Sequence, residues 1–208
     1  MLARLASPFA PYNAEYAIKC ATDLESMQKE DVFRIVDDSL LFRGTLSWKE
    51  LLTEVRVGRA KWDDGGSIHR GFFDLYRNIR GDVMDAVGSR RISHVCGHSL
   101  GGVFAILAAQ DLLRYNKSIP RAVYTFGAPR VGNDKFVRSV TRNHPIYRIT
   151  NEEDVITQIP PLCRHVGDPI IANFDSGSIL DNHALCEYRS ALRSQIEHPG
   201  WYSWLDSE

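Results

Sequence analysis

Gly97-His98-Ser99-Leu100-Gly101 sets a serine between two glycines at the spacing that a nucleophilic hydroxyl needs on a tight strand-to-helix turn. The pattern is weak by itself and gains force from its flanks. Ile92 to Cys96 reads as a short strand, and Gly101 to about Tyr115 reads as a helix. Such a turn would strain Ser99 so that its hydroxyl projects from the sheet edge, while the missing Cβ atoms at 97 and 101 let strand and helix approach. The helix start adds unpaired N–H groups and the positive end of a dipole, both of which stabilise developing negative charge.

A serine so placed needs a base, and the base needs an acid. Where this turn carries the nucleophile, acid and then base follow it along the chain. That order discards His69, His94 and His98, and His144 drops out because it precedes the acid candidates. His183, in a loop at the start of a final helix, is the favoured base; His165 in Arg-His-Val-Gly reads as structural and His198 in His-Pro-Gly as a helix terminator, but both stay open. Glu152, Glu153 and Asp154 follow a strand ending near Ile149, where α/β sheets put reactive side chains, and spacing does not decide among them. His94, Cys96 and His98 alternate along one strand side, yet in-line ligands ~7 Å apart do not meet one zinc ion. No metal is expected there, and Cys96 reads as a core residue.

The elements that must position these groups alternate in type. A helix is expected over about 13–28, then a hairpin in which Val32 to Val36 and Leu40 to Arg43 flank Asp37-Asp38-Ser39. Phe72, Leu75, Tyr76, Ile79, Val83 and Val87 recur at helical spacing, giving an amphipathic helix over about 70–88. Beyond the serine come a strand (Ala122 to Phe126), a helix (about Asn133 to Arg142), a strand (Pro145 to Ile149) and a last strand around Ile170 and Ile171. A final helix carries Leu185, Tyr188, Leu192 and Ile196, capped by Asp181 or Asn182 and stopped by Pro199-Gly200. This is an α/β pattern with a mostly parallel sheet and helices on both faces.

Composition narrows the partners. With 208 residues, 25 Lys+Arg against 26 Asp+Glu and a net charge of -1, the chain is expected to form one domain, 1–208, with neither a nucleic-acid-binding surface nor a polybasic membrane anchor. No apolar run approaches the ~18 residues of a transmembrane helix. The start of the chain carries no clear signal peptide, which leaves localisation open. Cys20, Cys96, Cys163 and Cys186 are too sparse for a disulfide scaffold, and a Cys163–Cys186 bridge is conceivable.

Several segments, taken in order, resemble the class 3 lipases, an α/β-hydrolase family. They are Phe42-Arg43-Gly44-Thr45, His69-Arg70-Gly71-Phe72 with Tyr76, Gly97 to Gly102, Thr125 to Asn133, Asp154-Val155 before Ile159-Pro160-Pro161, His165-Val166-Gly167, and His183 with Tyr188. The resemblance implies Ser99 as nucleophile, Asp154 as acid and His183 as base. It implies an oxyanion hole from Thr45 and the Leu100 N–H, a structural role for His165, and no metal or organic cofactor. Arg43 and Arg130 are expected to form structural salt bridges. The implied function is a serine carboxylic-ester hydrolase, foremost a lipase acting on acylglycerols, with an ester or lipid as partner, in some cases met at a lipid–water interface. A feruloyl-type esterase, a phospholipase A1 and a catalytically inert lipid-binding protein are the alternatives.

The segment at the place of the family's lid, about 46–68, is short and charged. Trp48, Leu51 and Leu52 are the lid and substrate-contact candidates in it, and Gly58 to Gly66 is expected to be polar and flexible. A small lid and a compact stretch from Asp154 to His183 favour short or medium acyl chains.

Overall fold

Six short segments rich in β-branched and aromatic residues build one sheet in the computed structural model, which describes residues 12–44, 58–63, 65–116 and 119–197. β1 (Phe33–Val36) and β2 (Ser39–Phe42) form an antiparallel hairpin with Val36 opposite Ser39, so the turn is only Asp37-Asp38, and Asp37 takes a φ of 53°. β3 (Arg59–Lys61) and β4 (Ser67–His69) pair separately. β5 (His94–His98), β6 (Ala122–Phe126), β7 (Ile146–Thr150) and β8 (Asp168–Ile171) run parallel to β2 in the order β1-β2-β5-β6-β7-β8. Every residue of β6 is buried, as a strand covered on both faces requires, whereas β1 and β8 are partly open edges.

The helices are α1 (Ala14–Glu25), α2 (Arg70–Val87), α3 (Leu100–Asn116), α4 (Asp134–Asn143), α5 (Ile179–Asn182) and α6 (Leu185–Glu197). Asn13 caps α1 by accepting from the Tyr16 N–H at 2.8 Å, and Asn133 caps α4 by accepting from the Phe136 N–H at 3.0 Å. Strand alternation sorts the core into two layers. Leu40, Phe42, Val95 and Val123 face α2, α3 and α4, packing with Tyr76, Phe104 and Phe136. Leu41, Cys96, Tyr124, Phe126 and Ile149 face α1 and α6, packing with Ala17, Leu24, Tyr188 and Leu192. The α/β architecture expected from the sequence is the one observed, with helices on both faces of a mostly parallel sheet.

The structure corrects three expectations. Residues 58–63, 65 and 66 are not a flexible polar stretch: Ala60 and Trp62 are buried, and the β3–β4 hairpin is clamped to the domain. Asp63 pairs with Arg80 at 3.1 Å and with Arg114, and Arg80 stacks over Trp62 at 5.4 Å while its Nε donates to buried Asp111 at 2.9 Å. The expected lid-like segment 46–68 thus loses its second half to this hairpin, and Trp48, Leu51 and Leu52 lie outside the described residues. Second, Cys20 and Cys96 form a disulfide that ties α1 to β5 with Cα atoms 6.2 Å apart, whereas Cys163 and Cys186 are free. Third, the final helix does not start at an Asp181 or Asn182 cap. Ser178 caps the single turn of α5, accepting from the Asp181 N–H at 3.1 Å, and α6 begins afresh at Leu185. Arg43 donates to the Met27 carbonyl at 3.3 Å and Arg130 to the Gln158 side-chain oxygen at 2.9 Å.

Burial also fixes the charge state of three histidines. It pushes His98 down to about 3 and His144 and His165 down to about 4, so all three fold as neutral imidazoles. The unfolded chain binds protons at these positions below its ordinary histidine pKa near ~6.5, and the native state does not. Stability is therefore complete above that value and falls as pH drops from about 6.5 towards 4. Urea titrations at pH 7.5 and 4.5 check this, and His144→Leu is expected to flatten the dependence by about one proton.

Candidate active site

Ser99 ends β5 and begins α3 with a φ of 55°, the left-handed region that costs a non-glycine residue energy. Its N–H donates to the Phe126 carbonyl at 2.9 Å, which continues the β5–β6 ladder one step past the strand. The glycines on either side are required by contact. A Cβ on Gly97 would stand 2.1 Å from the Gly101 carbonyl oxygen, and one on Gly101 would stand 2.2 Å from the Phe42 carbonyl oxygen. Only a helix start pressed this closely against β5 and β2 turns the serine out of the sheet.

Asp154 is supplied by the loop after β7, where it caps the 3-10 turn Val155–Gln158, and His183 by the turn between α5 and α6. Asp154 is wholly buried and the His183 side chain is 11% exposed. His183 Nδ1 lies 2.7 Å from Asp154 Oδ2, and its Nε2 lies 2.8 Å from Ser99 Oγ. A carboxylate only accepts, so Nδ1 carries the proton and Nε2 is left to accept from the serine hydroxyl. The acid is itself held: Tyr188 donates its hydroxyl to Oδ2 at 2.7 Å, and the Ile156 N–H donates to Oδ1 at 3.0 Å. Burial and the neighbouring carboxylate raise the Tyr188 phenol far above its ordinary value, so it stays a donor. Such a chain can deprotonate an attacking hydroxyl and carry the resulting imidazolium beside a fixed negative charge.

Gly127 makes room for the acid–base contact. At φ 55° it passes directly under it, and a Cβ there would meet Asp154 Oδ2 at 2.8 Å and His183 Nδ1 at 3.1 Å. The Leu100 N–H belongs to the first turn of α3, where no intrahelical acceptor exists. A methyl group on Gly44 would stand 3.1 Å from Ser99 Cβ and 3.7 Å from the Leu100 nitrogen, so the residue before Thr45 borders the nucleophile. Thr45 itself lies outside the described residues, as does His198. His165 sits after the β-bridge from Gly132 to Arg164, away from the hydrogen-bonded chain.

The three alternating side chains of β5 go separate ways. His94 stacks on Tyr16 with ring centroids 3.8 Å apart, Cys96 is in the disulfide, and His98 Nε2 lies 2.8 Å from the His183 carbonyl oxygen.

Comparison with known proteins places the chain. Residues 39–163 match the family described as lipase (class 3), and that span carries Ser99, Gly127 and Asp154. The chain belongs to the class 3 lipase family. It is 32% identical over 129 residues to a secreted mono- and diacylglycerol lipase of Fusarium solani, covering 58% of this chain and 38% of that protein. It is 31% identical over 160 residues to a chloroplastic phospholipase A(1) of Arabidopsis thaliana, covering 64% of this chain and 36% of that protein. Among solved structures, a lipase from Rhizopus microsporus var. chinensis superposes with a TM-score of 0.54 at 28% identity, covering 67% of this chain and 55% of that one. The chain thus spans little more than a third of the length of these curated relatives.

Sequence reasoning brought Ser99, Asp154 and His183 forward and missed the residues that hold them. Tyr188 reads from sequence as a helix position and a match to the family, and His98 as a packed or hydrogen-bonded neighbour of the turn; neither they nor Gly127 carry a role toward Asp154 or His183 there. The close contacts at the turn give a direct test. Gly97→Ala and Gly101→Ala are expected to cost several kcal/mol or to abolish folding. Gly81→Ala in α2, with nothing within 4 Å of its added Cβ, is expected to stabilise by about 0.5–1 kcal/mol. Denaturant midpoints of the three variants check both.

Proposed function

We propose that this chain is a serine ester hydrolase that acts on lipid esters, foremost acylglycerols, through Ser99, His183 and Asp154. The observation that carries the reading is the continuous hydrogen-bonded chain from Ser99 Oγ through His183 to Asp154, at 2.8 and 2.7 Å, on a strained strand-to-helix turn. His183 Nε2 takes the serine proton as the alkoxide attacks the ester carbonyl. The Leu100 N–H, joined by the backbone N–H and hydroxyl of Thr45, holds the oxyanion. Asp154 keeps the imidazole in the required tautomer and stabilises its charged form. His183 then returns the proton to the leaving alcohol, and a water molecule deprotonated by the same nitrogen releases the acid from Ser99.

An amphiphilic substrate is supported by apolar side chains left exposed beside the triad. Val155, directly after Asp154, is 46% exposed, and Leu180, three residues before His183, is 60% exposed. Leu162 and Ile179 are also exposed. The anchored β3–β4 hairpin, which takes residues 58–63 out of the expected lid-like segment, supports a preference for short to medium acyl chains. Phospholipase A1 activity is the second reading, supported by the phospholipase A(1) among the relatives.

Ser99→Ala is expected to lower kcat on p-nitrophenyl butyrate by about 10⁴-fold with the fold intact, and Thr45→Val by about 10²-fold. Steady-state kinetics over butyrate to palmitate esters, a triglyceride and a phosphatidylcholine separate the substrate readings. Higher rates on butyrate than on palmitate are expected.

A further inference from the structure

The hydrogen bonds that orient the His183 ring leave the position of its backbone to be explained. His183 ends the single turn of α5, and that turn carries the exposed Ile179 and Leu180. Two attachments hold it. Buried Asn182 accepts from the Ser176 N–H at 2.7 Å and donates to Asp175 Oδ1 at 3.2 Å, which closes the loop on itself. His98 Nε2, 2.8 Å from the His183 carbonyl oxygen, ties the loop to the sheet.

A carbonyl only accepts, so His98 is the Nε2–H tautomer and donates. Its ring lies against that of His183, with centroids 4.9 Å apart and planes inclined by 34°. His98 is also the residue immediately before Ser99. Two consecutive residues of the strand-to-helix turn therefore grip the same histidine, Ser99 at its ring nitrogen and His98 at its backbone carbonyl. The distance from base to nucleophile is set within the turn itself, without relying on the loop that carries the base.

We propose that His98 is a positioning residue: its Nε2–H to the His183 carbonyl registers the base against Ser99. Burial keeps His98 uncharged throughout the neutral range. Misplacing a reacting group by about 1 Å can cost about 10²-fold in rate, with no direct effect on how substrate binds. Loss of this hydrogen bond should therefore appear in kcat and leave KM unchanged.

The test rests on the ester-hydrolase reading above and uses p-nitrophenyl butyrate with wild type, His98→Leu, His98→Gln and His98→Asn. Leu removes the donor, Gln carries an amide N–H to about the reach of Nε2, and Asn falls short of it. The expected result is a kcat lowered about 10-fold or more in Leu and Asn with KM within about 2-fold of wild type, and recovery to within about 3-fold in Gln. If His98→Leu does not fold, the Gln and Asn pair carries the same contrast. Wild-type kcat in Leu or Asn, equal impairment in Gln, or a loss confined to KM overturns the proposal. A wild-type protein inactive on every ester overturns the reading of the site itself, and this proposal with it.

Discussion

The rest of the structure depends on one close approach, that of the α3 backbone to β5 and β2 at Gly97 and Gly101. Because no side chain intervenes, the peptide of Gly101 packs on the Phe42 carbonyl and the chain reverses direction within one residue. The reversal forces Ser99 into the left-handed region and directs its hydroxyl away from the sheet. It also opens the first turn of α3 towards the hydroxyl, so the Ser99 hydroxyl and the Leu100 N–H come from adjacent residues. A strained residue persists only where its surroundings over-determine it. Here the α3 helix, buried on all sides over most of its length between α2 and the sheet, is that surrounding.

Much of this was legible in the sequence, because each element has a local cause. β6 reads as a strand from Ala122 to Phe126 and is observed with those ends; α2 differs by a residue from its helical spacing. The order of nucleophile, acid and base could be read from the chain, whereas the choice of Asp154 over Glu152 and Glu153 rested on resemblance. The structure supplies a local reason for that choice: Asp154 is buried with three donors, while Glu152 and Glu153 are exposed. What was not legible is tertiary. The β3–β4 hairpin is three residues long on each side and carries charges on its outward positions, so Ala60 and Trp62 give too little periodicity to mark it. The Cys20–Cys96 pairing spans 76 residues and depends on how α1 lies on β5. The Tyr188 and His98 contacts join residues 34 and 85 positions apart in sequence.

The site is built from groups whose charge states are separated by environment. His98 lies against His183 but is kept neutral by burial, so one imidazole is free to take a proton while the other serves as a fixed donor. Tyr188 likewise remains protonated beside a carboxylate, giving Asp154 a hydrogen bond that does not compete for the proton on His183 Nδ1. Buried polar groups of this kind contribute to geometry only when their bonds are satisfied, and Ser99, His183, Asp154, Tyr188 and His98 each have a partner here.

The central claim is that Ser99 is a nucleophile activated by His183. Mass spectrometry of the protein after reaction with a fluorophosphonate probe tests it most directly. A single adduct on the peptide containing Ser99, absent from His183→Ala, is the result the structure predicts; no adduct, an adduct on another residue, or equal labelling of His183→Ala would contradict it.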